Sequence, residues 1–258
     1  MSLRVLGCSG SIAAGCRTTS FLVDDDILID AGTGVGDLTL DELARIDHIL
    51  LSHSHLDHVL GLPLLADSVM RRRAGQPPIQ VHALPATLAV LREHVFNNLL
   101  WPDFTRLPHP RHPVLSLHEI NTGQHLRLGR RERHIEVLPA RHSVPAVGYG
   151  VEGENGWWVY TGDTGPNPAL HPLLANRPVQ HLVIEIAFSE AERGVAADSL
   201  HHCPSTLAAE LAHVPAGARV HLTHIKPGEM PAVLGDLAER LPGLALHPLT
   251  AGDRLDWD

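Results

Sequence analysis

Aromatic side chains are scarce in this chain: four Phe, four Trp and two Tyr among 258 residues. A core of stacked rings is therefore excluded, and Leu, Val, Ile and Ala must fill it. Cysteine is scarcer still. Cys8, Cys16 and Cys203 are too few and too scattered for a disulfide framework or a cysteine-rich zinc site, which fits a reducing, cytoplasmic setting. Basic residues are outnumbered, 20 Lys and Arg against 29 Asp and Glu. The net charge of −9 argues against a general polyanion binder, because such affinity rests on cations that neutralise phosphates. Two local exceptions, Arg71-Arg72-Arg73 and 127–133, read as solvated faces, the second alternating with apolar residues as a strand would. Long apolar runs are missing too. The N-terminus enters Leu3-Arg4-Val5-Leu6 without the core of a signal peptide, and no later run could cross a bilayer. Neither a membrane nor a large nucleic acid is expected as a partner.

What the chain has in quantity is apolar residues, 44%, and histidine, 20 residues. The apolar content is enough for a large core, and residues 1–258 are expected to form one domain. The histidines are not spread evenly. Ser52-His53-Ser54-His55-Leu56-Asp57-His58-Val59-Leu60-Gly61 sets three imidazoles and a carboxylate within six positions, after an apolar strand, Ile46 to Leu51. In extended backbone alternate side chains share a face, so His53 and His55 can grip one ion together. Asp57 and His58 follow where the strand is expected to give way to a loop and can face a neighbouring point. The stretch reads as half of two adjacent metal sites.

Before it, Leu3 to Leu6 reads as a strand, and Phe21 to Val23 with Ile27 to Ile29 as a hairpin across Asp24-Asp25-Asp26. Gly32 and Gly34 mark a tight turn, since no G-x-G-x-x-G pattern follows. After it come a helix, Leu62 to Arg73, a strand, Ile79 to Ala83, and a helix from Pro85 to about Asn97. The proline-rich tract from Leu100 to Pro113 carries Trp101 and Phe104 and reads either as a lid packed on the core or as a wall for a flat ligand. His48, His82, His94, His109, His112, His118, His125, His134 and His171 lack paired spacing and read as surface or capping residues.

Further strands cover Leu115 to Ile120, Leu126 to Leu128, Ile135 to Leu138, Val147 to Val151 and Trp157 to Tyr160. Just past two of them stand His142 and Asp163, the latter between glycines that allow close approach to its carboxylate. Glu185 lies inside the apolar strand Leu182 to Ile186, where an unpaired carboxylate is costly, so it needs a partner such as a histidine. His201-His202-Cys203-Pro204 precedes a helix, and His224 follows the strand Arg219 to Leu222. Every candidate ligand thus stands at a strand's C-terminal end or in the loop after it.

The order His53-x-His55-x-Asp57-His58, His142, Asp163, His224 resembles the metallo-β-lactamase superfamily, an α/β fold of two sheets sandwiched between helices (αββα). Within it, His53 to Leu62, Ile184-Glu185-Ile186-Ala187-Phe188, His201-His202-Cys203-Pro204 and Thr223-His224-Ile225-Lys226-Pro227 resemble the class II cyclic-nucleotide phosphodiesterases. Those enzymes usually show Glu-Cys-Ser-Phe where this chain has Glu185-Ile186-Ala187-Phe188. The resemblance implies one metal held by His53, His55 and His142, a second by Asp57, His58 and His224, and Asp163 bridging them. Zinc suits such ligands best, with manganese or iron as alternatives. Two ions sharing a water would supply hydroxide near neutral pH for in-line attack on phosphorus. Asp57, Glu185, His201 and His202 are the catalytic candidates: His201 as proton donor held by Glu185, or His202 if the register follows tRNase Z, which shares the ligands. The implied substrate is a cyclic nucleotide such as 3′,5′-cyclic AMP, or a related small phosphodiester, and a homodimer is usual among such relatives. A tRNase Z-like endoribonuclease is the second reading, and a non-catalytic metal-bound scaffold or sensor the third.

Overall fold

Successive side chains on a strand face opposite sides, and the strands of this chain use that alternation to serve two apolar layers at once. Leu28 and Ile49 pack into one layer while Ile27, Ile29 and Leu50 pack into another. Trp158 and Tyr160 join that second layer, and Val159 between them joins a third. Three layers of core require two sheets with helices outside both.

The structure, a computed structural model, describes residues 2–257. One seven-stranded sheet has the spatial order Arg254–Asp256, Ser2–Gly7, Ser20–Val23, Ile27–Ile29, His48–Leu50, Ile79–Ala83, Leu115–Glu119. The other runs Leu246–Pro248, Arg219–Thr223, Val179–Glu185, Gly156–Tyr160, Val147–Gly153, Arg133–Pro139, His125–Leu128. Helices Gly61–Val69 and Pro85–Val90 cover the first sheet through Leu62, Leu65, Val69 and Leu88. Helices Pro204–Leu211 and Met230–Arg240 cover the second through Leu207, Leu211, Val233 and Leu237. Between the sheets lie five of the ten aromatic residues, with Phe21 edge-on to Trp158 and Tyr160 at 5.7 and 5.1 Å.

Several expectations are corrected. Asp57 and His58 sit not in a loop but on a helical turn, Leu56–Val59, and the strand before them ends at Leu50, so His53 and His55 lie in irregular chain beyond it. Of the two readings of the tract from Leu100 to Pro113, the lid holds: Phe104 is buried in the helix-covered core, and Trp101 packs there and donates its indole N–H to Pro63 O at 3.1 Å. Its proline-rich end forms a small hairpin, Pro108–His109 with His112–Pro113. His82 is not at the surface; it is buried with Nε2 3.3 Å from His48 Nδ1. The basic clusters are engaged with carboxylates, Arg72 with Asp41, Arg73 and Arg130 with Asp47, and Arg131 and Arg133 with Asp24. Among the described residues no helix is long and apolar enough to cross a membrane.

Candidate metal centre

Four strand ends and one helical turn bring the candidate ligands together. His53, His55, Asp57 and His58 follow strand His48–Leu50, His142 follows Arg133–Pro139, Asp163 follows Gly156–Tyr160, and His224 follows Arg219–Thr223. Their ligand atoms fall into two groups, His53 with His55 and His142, and Asp57 with His58, Asp163 and His224, the atoms of each group lying within 4.8 Å of one another. Asp163 stands between the groups. Its Oδ2 is 3.2 Å from both His58 Nε2 and His224 Nε2 and 3.8 Å from His53 Nε2.

The atoms themselves show whether a cation fits. His53 Nε2, His58 Nε2 and Asp163 Oδ1 are buried without a hydrogen-bond partner. Leaving such atoms unpaired in a low-dielectric interior is costly, and a divalent cation satisfies lone pairs of this kind. The nitrogen and oxygen donor set is one that zinc accepts. Burial, helped by His58, holds His53 well below the usual imidazole range, and burial takes His142 to about 4 and His224 to about 3. These three rings are thus neutral at pH 7 and present lone pairs. Burial opposes charge on His58 as well, but Asp163 and Asp30 outweigh it and hold its pKa well above the ordinary value. Burial also opposes charge on Asp163, yet His224 and His58 keep that carboxyl well below the usual range.

Asp30, just past the strand Ile27–Ile29 and not among the sequence-based candidates, orients this cluster. It accepts from His58 Nδ1–H at 2.8 Å, from the Ser52 N–H and hydroxyl at 2.7 Å each, and from the Tyr160 hydroxyl at 3.1 Å. With Nδ1 donating, His58 must turn Nε2 toward the cluster. The available signal was a carboxylate ending the apolar run Ile27-Leu28-Ile29. His142 is aimed similarly, its Nδ1 lying 3.3 Å from Leu200 O. Gly32 is needed for close approach, since a Cβ there would stand 2.4 Å from both Asp57 O and Thr18 Oγ1.

Glu185 finds its histidine. His201 Nδ1 lies 2.8 Å from Glu185 Oε1, which also accepts the Thr164 N–H at 3.0 Å. Burial lifts the Glu185 carboxyl to about 7 despite His201, and the same carboxylate overcomes burial to raise His201, so the pair holds a proton between them. The His201 ring lies 4.8 Å from that of His142 and 5.1 Å from that of His224. His202 points elsewhere: its Nδ1 is 3.2 Å from Thr206 Oγ1, and burial pushes its pKa down to about 3. An open pocket of about 390 Å³ reaches the cluster, lined by Asp57, Asp163, His201, His224 and Lys226 among others. The Lys226 ammonium, part of the motif after the strand Arg219–Thr223 but given no role from the sequence, donates to Gly10 O at 3.2 Å and sits 5.3 Å from the Phe188 ring centroid.

Two sheets between helices with a His and Asp cluster at the strand ends define a metallo-β-lactamase-fold hydrolase. The Beta-lactamase superfamily domain matches residues 25–240, and the chain belongs to that family. It is similar to a probable 3′,5′-cyclic-nucleotide phosphodiesterase of Yersinia pestis, 26% identical over 207 residues that cover 70% of this chain and 57% of that one. It is also similar to a ribonuclease Z of Bradyrhizobium sp. (strain ORS 278), 37% identical over 131 residues covering 48% and 41%. The chain spans about half the length of these curated relatives. The fold matches that of unliganded yeast PDE1 with a TM-score of 0.81 and 19% identity, across 98% of both chains.

Proposed function

We propose that this protein is a metal-dependent phosphodiesterase that hydrolyses a cyclic nucleotide, such as 3′,5′-cyclic AMP, or a related small phosphodiester. The observation that carries the reading is the Glu185–His201 pair, 2.8 Å across, opening on the pocket beside the ligand cluster. An alcohol leaving a phosphodiester needs a proton, and a charged imidazole at hydrogen-bond reach supplies one. Two divalent cations, zinc best suited, held by His53, His55 and His142 and by Asp57, His58 and His224 with Asp163 between them, would activate water and neutralise charge on the phosphoryl oxygens.

The remaining work falls to the chain itself. His201 gives its proton to the departing oxygen while Glu185 holds Nδ1 and so aims Nε2 at the pocket. His202, facing Thr206, is the weaker candidate for that role. Asp57 lines the pocket with its carboxylate 28% exposed and can accept a proton from an entering water. Lys226 attracts an anion to the pocket.

The ribonuclease Z relatives favour a second reading, an endoribonuclease. Against it stand the net charge of −9 and the pairing of both basic clusters with carboxylates. Assays with cyclic AMP, cyclic GMP, 2′,3′-cyclic nucleotides and precursor tRNA separate the two. Turnover of a cyclic nucleotide with no cleavage of precursor tRNA is expected; cleavage of the RNA alone would reverse the assignment.

A further inference from the structure

The pocket's lining is mixed. Beside Asp57, Asp163, His201 and His224 it includes Ile12, Leu56 and Leu60, which are 69%, 62% and 38% exposed. Apolar side chains standing in water at the mouth of a reactive cluster gain when a ligand covers them. No aromatic ring other than histidine, and no Asn or Gln, is among the described residues lining this opening. Two of the three hydroxyls in the lining are engaged with backbone, Thr18 Oγ1 accepting the Thr33 N–H at 2.8 Å and Thr33 Oγ1 accepting the Thr18 N–H at 2.9 Å. Such a lining can exclude water from a hydrocarbon group.

We infer that Ile12, Leu56 and Leu60 form a subsite for an apolar ester group, so that the enzyme also accepts phosphodiesters that carry an alkyl or aryl substituent beside the phosphate. This rests on the phosphodiesterase reading and adds to its substrate class. Lys226, lining the same pocket, offers the positive charge that holds the anionic part of such a ligand.

Inhibition of bis(p-nitrophenyl) phosphate hydrolysis by phenylphosphonate and by methylphosphonate tests the inference, because the two probes differ only in the hydrocarbon. Phenylphosphonate is expected to inhibit at a concentration about tenfold lower, and Ile12→Ser combined with Leu60→Ser to reduce that preference to about twofold or less. Leu64→Ser, exposed on the neighbouring helix and outside the pocket, is expected to keep it. Methyl NMR of the metal-loaded protein gives a readout independent of turnover, with saturable shifts of the Ile12, Leu56 and Leu60 methyls as phenylphosphonate is added. Should no phosphodiester be hydrolysed while those methyls still respond, the catalytic reading fails and the subsite stands. Equal potency of the two probes, a preference that survives the double substitution, or unmoved methyls would overturn it. So would a dimer, seen by sedimentation and broken by Leu60→Ser, that buries the three side chains.

Discussion

Asp30 and His224 both take left-handed backbone conformations, φ 55° and 68°, which cost a non-glycine residue about 1–2 kcal/mol. Each is pinned by a backbone hydrogen bond across the fold, Asp30 N–H to Leu50 O at 2.8 Å and His224 N–H to Cys8 O at 2.7 Å. The strain is borne where side chains must be aimed. Asp30→Asn keeps the shape but weakens the grip on His58 Nδ1–H, and metal affinity, read by competition with a chelator, is expected to fall about 10- to 100-fold. Substituting His201 should separate substrates by leaving group. With His201→Asn, kcat on cyclic AMP is expected to drop about 10²-fold or more, while bis(p-nitrophenyl) phosphate, whose leaving group departs unprotonated, loses far less. A proton donor works only while charged, so activity on cyclic AMP is present below the raised His201 pKa and lost as pH climbs through it. Glu185→Gln removes the carboxylate that raises it, and the alkaline limb is expected to move to lower pH. The clustered residues were legible because imidazoles and carboxylates at the ends of apolar strands have few structural uses. Asp30 was not, because its partner His58 stands 28 residues further on and only the folded chain joins them.

Strands were more legible than helices. Alternation and turn residues located Ile79–Ala83, Val147–Gly153 and Gly156–Tyr160 within two residues. The short helices His171–Ala175 and Arg193–Ser199 went unseen, since five and seven residues are too few to display a helical period. Leu56–Val59 went unseen because four residues made mostly of ligands carry the site's pattern rather than a helix's. His181 and His221, on adjacent parallel strands, are buried with Nδ1 of the first 2.9 Å from Nε2 of the second. Burial, with His181 next, pushes His221 down to about 4. The unfolded chain binds a proton there below about pH 6.5 and the folded chain does not, so stability is full above that pH and is lost as pH falls toward 4. The loss is expected to reach about 2 kcal/mol. Urea midpoints at pH 7 and 4.5 should show His221→Gln losing less than the parent across that interval.

On the scale of the whole molecule, the two sheets act as a frame that delivers ligands from residue 53 to residue 224 to one rim. Sequence patterns indicated which residues gather, and the resemblance supplied the αββα frame that gathers them. The pocket's apolar lining and the pairing of the basic clusters lay beyond sequence, because both depend on which surfaces the fold leaves in water. Removing the residue between the two ligand groups is therefore the decisive perturbation. Metal content measured on the purified, metal-loaded chain and on Asp163→Ala, alongside hydrolysis of bis(p-nitrophenyl) phosphate, is expected to give about two ions per parent chain, with at least one ion and nearly all activity lost in the variant. A parent chain that retains no metal, or a variant that keeps both metal and rate, would contradict it.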